Sequence, residues 1–168
     1  MKIPDNGQPV VLVAEDRDED LFMMDRAFQQ LGFTAPVQYV RNGEETIAYL
    51  AGQGRFANRA EYPLPDLLLL DLKMPRKNGF EVLEWIQAQP TLSHLRTVVL
   101  TTSDDLTEIT RAYQLGAASF ITKPLSFAEF RNSIVAIYTY WLAINKPPPI
   151  QRPQKGSVRK PSPEGSPS

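Results

Sequence analysis

Five polar residues in this 168-residue sequence stand at the ends of short apolar runs, and their side chains could act together on a charged group. They are Glu15, Asp16, Asp71, Thr101 and Lys123. Three carboxylates brought close together repel one another unless a cation joins them. The three acids therefore predict a site for Mg²⁺, with Mn²⁺ as an alternative, since such ions prefer carboxylates, water and phosphate oxygens. Zinc and copper are disfavoured because the sequence has no cysteine and a single histidine, His94.

The hydroxyl and the ammonium complete a set that suits a phosphoryl group. Thr101 can donate a hydrogen bond to one phosphoryl oxygen, and Lys123 can pair with another as a point charge. Phosphoryl transfer requires mainly such positioning and neutralisation of charge, and a carboxylate can serve as the nucleophile to give an acyl phosphate. The five residues therefore predict transfer of a phosphoryl group onto one of the carboxylates.

These residues can act together only if the chain brings the ends of the apolar runs to one place. Each run is too short for a globular helix, and continuous apolar runs are typical of strands that are covered on both faces. The expected strands are Val10–Ala14, Val37–Val40, Leu67–Leu70, Thr97–Leu100 and Ser119–Thr122. Segments with helical spacing separate them, which predicts an α/β fold with a parallel sheet. Five strands and five helices fit the flavodoxin-like (βα)5 doubly wound order 2-1-3-4-5, in which strands one, three, four and five share one edge at their carboxyl ends.

The chain divides into a domain and two flanking segments. We expect a short lead over residues 1–8, one domain over residues 9–144, and a proline-rich, disordered tail over residues 145–168. Gly52–Pro65 breaks the alternation and is interpreted as an extended loop. A net charge of -1 gives no reason to expect nucleic acid, and no apolar run approaches the ~20 residues needed to span a membrane. These features predict a cytoplasmic protein.

Four motifs, in this order, resemble the response-regulator receiver domains of two-component signalling. They are VVLVAEDRDED at Val10–Asp20, PDLLLLDLKMPRKNGFEVL at Pro65–Leu83, VVLTTS at Val98–Ser103 and LGAASFITKP at Leu115–Pro124. The resemblance covers about residues 9–144, and the separations between Asp71, Thr101 and Lys123 match the family pattern. It implies a signalling switch rather than an enzyme, because a receiver catalyses only its own phosphorylation and dephosphorylation.

The resemblance also assigns roles around the metal. Asp71 matches the phosphoacceptor of the family. Asp16 would bind the metal directly, and Glu15 would act mostly through water. Lys73, two residues after Asp71, would offer its backbone carbonyl to the same ion. The resemblance therefore implies a Mg²⁺ site that is centred on the phosphorylated aspartate.

A second group of roles concerns the phosphate and the switch. Lys123 matches the phosphate-binding lysine, Thr101 the switch hydroxyl and Phe120 the switch aromatic residue. The Lys123–Pro124 peptide bond is expected to be cis, because proline lowers the cost of that isomer to ~0.5–1 kcal/mol. The resemblance thus implies that phosphorylation moves Thr101 and turns Phe120 inward.

Several local features resemble one subfamily, the small regulators that serve phytochrome-type histidine kinases. They are the insertion at Gly52–Pro65, the MPRKNG loop, VVLTTSDD and the aromatic segment YTYWL near the end of the last helix. Those regulators have no output domain. This resemblance implies a stand-alone regulator whose partner is a phytochrome-type histidine kinase.

The last helix has two apolar stripes. Phe130, Ile134, Ile137 and Trp141 form one, which is expected to face the sheet. Phe127, Val135, Tyr138 and Leu142 form the other. A surface helix normally has one apolar face, so the second stripe predicts a covering partner. We expect a homodimer through this second stripe, since twofold dimers are the commonest oligomers, although the tail could fold back over it instead.

Other residues have plainer interpretations. Asp18 is expected to cap the first helix, and His94 is expected to be an ordinary surface histidine. The side chains of Lys73 and Ser103 either tune hydrolysis of the acyl phosphate or lie in solvent. The sequence alone leaves those two readings open.

Three alternative functions remain at this point. A phosphatase or phosphotransferase with an aspartyl nucleophile would commonly place a second acid two residues after the nucleophile, where this chain has Lys73. An FMN-binding module would need a phosphate loop after the first strand, where this chain has acids that repel phosphate. A receiver that works unphosphorylated would not need every site residue, and all of them are present.

Overall fold

The computed structural model describes residues 9–33 and 36–144 of the chain. It contains one parallel sheet of five strands in the order β2-β1-β3-β4-β5. The strands are β1 (Val11–Ala14), β2 (Val37–Val40), β3 (Leu67–Leu70), β4 (Arg96–Thr101) and β5 (Ser119–Thr122). The predicted flavodoxin-like topology is therefore confirmed. The predicted lead and tail, residues 1–8 and 145–168, lie outside the described residues.

Five helices connect and cover the strands. They are α1 (Asp18–Gln30), α2 (Gly43–Ala51), α3 (Gly79–Gln87), α4 (Leu106–Gln114) and α5 (Phe127–Ile137). A π-helical segment, Tyr138–Ile144, continues α5. Four helices begin at N-cap residues whose side chains accept a hydrogen bond from the first turn, and these caps are Asn42, Asn78, Asp105 and Ser126. Over the described ranges, no helix is long and apolar enough to cross a membrane.

Alternate residues of each strand face opposite cores, as a doubly wound sheet requires. On one face, residues such as Leu12 and Leu68 pack with α2, α3 and α4. On the other face, residues such as Val13 and Leu69 pack with α1 and α5. The central strands are buried on both sides, which explains why their sequences are continuous apolar runs rather than alternating ones.

The insertion between α2 and β3 is compact, whereas the sequence predicted an extended loop. A 3-10 turn at Gly54–Phe56 brings the ring of Phe56 against Tyr49 and Tyr62, with ring centres 5.1 and 5.2 Å apart. The guanidinium of Arg59 donates to the carbonyl oxygens of Tyr49, Leu50 and Tyr62 at 2.7, 2.8 and 3.2 Å. Two of these carbonyls belong to the last turn of α2, so Arg59 satisfies the end of that helix.

Three local expectations were wrong. Arg17 rather than Asp18 is the N-cap of α1, and Asp18 is an exposed first-turn residue that pairs with Arg41. His94 is buried, with 8% of its surface exposed, because the turn before β4 folds it inward. The Lys123–Pro124 peptide bond is trans, the isomer that X–Pro bonds favour intrinsically.

Candidate functional site

The predicted site residues meet at the carboxyl edge of the sheet. Hydrogen bonds of the sheet type continue one residue beyond several strands and fix the backbone there. The amide of Asp71 donates to Ala14 O at 3.0 Å, and the amide of Lys123 donates to Thr101 O at 2.7 Å. The amide of Glu15 donates to Val40 O at 3.0 Å. The sheet therefore positions these side chains through its own register.

Lys123 lies at the centre of the site. Its ammonium donates to Asp20 Oδ2 at 2.9 Å, to Asp71 Oδ2 at 3.1 Å, and to Glu15 Oε2. All four side chains are buried, with at most 9% of any of them exposed. One ammonium thus partly neutralises three carboxylates in a place with little access to water.

Asp20 is the site residue that the sequence reasoning missed. It lies in the acidic run Asp18–Asp20, whose sequence is typical of an exposed first turn of a helix. A signal was present, however, because Asp20 precedes Met24 by four residues and Phe28 by eight. That spacing places it on the buried face of α1.

Three of the acids can hold a metal ion. Glu15, Asp16 and Asp71 each offer one oxygen, and these oxygens lie within 4.8 Å of one another. Asp16 Oδ1 is buried and has no hydrogen-bond partner within the described residues. A buried carboxylate oxygen without a partner is costly, and a hard divalent cation would satisfy it. The residues present therefore fit a divalent-cation site of the predicted composition.

The electrostatics of the site are those of crowded acids. The pKa of Glu15 is raised from 4.5 to about 7, because burial and then the neighbouring Asp71 raise it more than Lys123 lowers it. Burial alone would lower the pKa of Lys123, but Asp71 and Glu15 attract its charge and the net result is a raised pKa. Lys123 therefore stays charged, but its single positive charge does not balance the carboxylates around it. This excess of negative charge favours the binding of a cation.

Thr101 and Phe120, the predicted switch residues, lie on neighbouring strands. Thr101 is fully buried at the end of β4, and its Oγ1 has no hydrogen-bond partner in the part of the chain that the structure describes. Phe120 is half-buried in β5 and packs against the core below α4. Its amide donates to the hydroxyl of Tyr113 on α4 at 3.1 Å. An unpartnered hydroxyl and a partly buried ring therefore stand on adjacent strands.

The loop after β3 holds Asp71 in place. The amide of Lys73 donates to Asp71 Oδ1 at 3.2 Å, which orients the carboxylate. Gly79 begins α3 so close to β3 that a Cβ would lie 2.6 Å from the carbonyl oxygen of Asp71. Only glycine fits there, so α3 can start directly against the strand end. The role of the Lys73 carbonyl in binding metal stays a prediction, and the Lys73 side chain is exposed.

The two stripes of α5 differ in burial. Of the first stripe, Phe130, Ile134 and Ile137 are buried against the sheet, and Trp141 is half-buried against the same core. Phe127, Val135, Tyr138 and Leu142, the predicted dimer residues, are all half-buried. Intrachain contacts cover part of this stripe: Arg26 lies 4.5 Å above the ring of Phe127, and Phe33 contacts Tyr138 edge-on at 5.4 Å. The second stripe therefore leaves less apolar surface for a partner to cover than the sequence predicted.

Comparisons with known proteins agree with this geometry. The model of the response regulator receiver domain matches residues 11–135. The chain is 36% identical over 142 residues to the probable methanogenesis regulatory protein FilR2 of Methanothrix harundinacea, covering 83% of this chain and 87% of FilR2. It is 31% identical over 137 residues to the response regulator Rcp1 of Synechocystis, covering 82% of this chain and 91% of Rcp1.

Two solved structures are similar over the same region. The phosphorylated cyanobacterial phytochrome response regulator RcpA superposes with a TM-score of 0.79 and 33% identity, covering 84% of this chain and 99% of RcpA. The Mn²⁺-bound form of Rcp1 superposes with a TM-score of 0.77 and 30% identity, again covering 84% and 99%. Because the family model spans the whole sheet and every residue of the site, this chain belongs to the response regulator receiver domains, the signalling modules of two-component systems.

Proposed function

We propose that Asp71 accepts a phosphoryl group from a histidine kinase and thereby switches a protein-interaction surface. The observation that carries this proposal is the convergence of buried, incompletely satisfied polar groups on Asp71. Asp16 Oδ1 and Thr101 Oγ1 lack partners within the described residues, and Lys123 is already within hydrogen-bond distance of Asp71. Such a site is prepared for an incoming cation and an incoming anionic group.

The proposed ion is Mg²⁺, held by Glu15, Asp16 and Asp71 and by the carbonyl of Lys73, with Mn²⁺ as a substitute. When bound, the ion supplies charge neutralisation and alignment of the phosphoryl oxygens. The Mn²⁺-bound structure of Rcp1 and the three-acid group of this chain support a divalent ion.

The chain's own residues then perform the transfer. A carboxylate oxygen of Asp71 attacks phosphorus and forms the acyl phosphate bond, while the bond from phosphorus to the kinase histidine breaks. The departing nitrogen keeps the electron pair and takes a proton from solvent, which leaves a neutral imidazole. Lys123 pairs with one phosphoryl oxygen, and Thr101 donates to another. The movement of Thr101 leaves space for Phe120 to turn inward, which shifts a two-state equilibrium at the surface formed by α4, β5 and α5.

The partner that we propose is a phytochrome-type histidine kinase. Support comes from the similarity to Rcp1 and to RcpA, which is described as a phytochrome response regulator. The match spans 91% of Rcp1, so Rcp1 is little longer than a receiver domain, as expected for a stand-alone regulator. We place the reaction in the cytoplasm, where such kinases present their phosphohistidine. The rival phosphatase function has no observation in its favour, since the residue two positions after Asp71 is an exposed lysine.

We also propose a homodimer through α5 and its π-helical continuation. The half-buried stripe ends beside Tyr140 and Ile144, which are 54% and 65% exposed. Light scattering at increasing concentration tests this, with Asp71 phosphorylated and unphosphorylated. A monomer in both states at high concentration would rule the dimer out.

The phosphoacceptor proposal is tested by incubation with Mg²⁺ and a small acyl phosphate, followed by intact mass. We expect the wild type to gain one phosphoryl group and the Asp71→Asn variant to gain none. A chelator should abolish the gain in the wild type. Equal labelling of both proteins would overturn the proposal.

A further inference from the structure

Asp20 is a buried carboxylate that the proposed reaction has not yet used. It lies in the first turn of α1 with 6% of its surface exposed. Its Oδ2 accepts a hydrogen bond from Lys123 Nζ at 2.9 Å, and Arg17 Nε lies 3.9 Å from the same oxygen. Among the described residues, the acids whose oxygens group for a metal are Glu15, Asp16 and Asp71, so Asp20 is outside that group.

A buried carboxylate is costly unless it is paired, so the position of Asp20 needs an explanation. Its neighbours Asp18 and Glu19 show the ordinary alternative, since both point into solvent with side chains 83% and 77% exposed. Asp20 instead points inward and contacts the ammonium at the centre of the site. Its distinctive feature is this contact with Lys123.

The three acceptors of Lys123 differ in what the reaction does to them. Asp71 would give up its carboxylate charge on forming the acyl phosphate, and Glu15 would serve the cation. Asp20 takes part in neither step, so its contact with Lys123 can persist. A lysine side chain has a flexible four-carbon stem, and a point charge on such a stem needs an anchor to stay at one place.

We propose that Asp20 is a positioning residue that holds the Lys123 ammonium at the phosphoryl site before and after transfer, an inference that rests on the proposed function of Asp71. Asp20 does not touch the reacting atoms, and it acts through Lys123. Its removal leaves the lysine held only by Asp71, which is the group that reacts, and by Glu15, which also serves the cation. Phosphorylation should therefore become slower when the anchor is lost.

The test measures the rate of phosphorylation of the full chain with Mg²⁺ and a small acyl phosphate by intact mass. Asp20→Asn, which keeps the shape and removes the charge, should slow the rate about tenfold. Asp18→Asn removes an equal charge from the same turn of α1 and should stay within about twofold of the wild type. Asp20→Glu, which keeps the carboxylate, should recover part of the lost rate, and a purely structural role would give no such recovery.

A double-mutant cycle shows whether Asp20 acts through the lysine. In a Lys123→Ala background, Asp20→Asn should change the rate by less than about twofold. An undiminished tenfold effect in that background would overturn the inference, as would a wild-type or faster rate in the single Asp20→Asn variant.

Binding of Mg²⁺ alone, measured by calorimetry, separates positioning from metal ligation. Asp20→Asn should leave the affinity within about twofold of the wild type, since Asp20 pairs with the lysine rather than with the ion. A loss of about tenfold or more would show that Asp20 acts on the ion, as a ligand or as an outer-shell partner, and would contradict the inference. If the wild type itself takes up no phosphoryl group, the proposed function fails and this inference fails with it, whereas a phosphorylated wild type with unaffected Asp20 variants removes the inference alone.

Discussion

Glu15 is a carboxylate whose protonation is controlled by burial at the centre of the site. Its pKa is raised to about 7, first by burial and then by Asp71, against the opposing attraction of Lys123. In the unfolded chain the same group ionises near 4.5. The metal-free folded protein therefore binds one proton more than the unfolded chain between these two values.

The sign of the resulting pH dependence follows from this difference. Because the folded protein binds the extra proton, Glu15 contributes most to the free energy of unfolding at low pH. That contribution is lost as the pH rises from about 4.5 through about 7. In a chelator, we expect the free energy of unfolding of the wild type to fall over this window by up to about 3 kcal/mol relative to Glu15→Gln. Urea denaturation of both proteins at a series of pH values measures this fall in the free energy of unfolding. Parallel curves for the two proteins would contradict the assigned pKa.

Asp20 shows what single-residue patterns can and cannot reveal. The types and separations of Glu15, Asp16, Asp71 and Lys123 were enough to predict that they meet, because the carboxyl ends of parallel strands share an edge. Asp20 sits on a helix, where the decision between solvent and core depends on how α1 rotates against the sheet. His94 was misjudged for a related reason, since a polar segment can fold one polar side chain inward only through tertiary contacts.

At the level of elements, the insertion after α2 depends on one arginine. Arg59 donates to three carbonyl oxygens, and substitution by methionine would keep the aliphatic stem but remove these three hydrogen bonds. Within the described residues, the carbonyl of Tyr49 would keep only the amide of Gly52 as a donor. We expect Arg59→Met to lower the free energy of unfolding by about 1–3 kcal/mol. Arg55→Met is a matched control in the same segment, because Arg55 is exposed and pairs with Glu45 at the surface. Its cost should stay below about 1 kcal/mol. Equal losses in the free energy of unfolding for the two variants, measured by chemical denaturation, would show that the insertion does not depend on Arg59.

The contact between α4 and β5 gives a second prediction at this level. Tyr113 accepts a hydrogen bond from the amide of Phe120, so α4 is tied to the strand that carries the switch ring. Tyr113→Phe should speed amide hydrogen exchange at Phe120 about tenfold. The amide of Lys123, which donates to Thr101, is the internal control and should keep its rate. An unchanged Phe120 rate, measured by NMR, would show that the tyrosine does not hold the strand.

For the whole molecule, the sequence predicted the topology well because the signal for it is local. The central strands are buried on both faces, so each of them is a short apolar run, and predicted bounds such as Val10–Ala14 differ from the observed Val11–Ala14 by one residue. The compact insertion and the cover over α5 could not be predicted in this way. The insertion depends on specific side-chain contacts of Phe56 and Arg59, which no periodic pattern predicts. The cover over α5 depends on contacts between segments distant in the chain, such as Phe33 with Tyr138.

The central claim is that Asp71, among several neighbouring acids, is the residue that carries the phosphoryl group. Borohydride reduction of the phosphorylated protein converts an aspartyl phosphate to homoserine, which peptide mass spectrometry can locate. The account predicts homoserine at residue 71, with Asp16 and Asp20 unmodified, and no homoserine when Mg²⁺ is removed before phosphorylation. Homoserine at residue 16 or 20, or a phosphoryl group on Thr101 or His94, would contradict it.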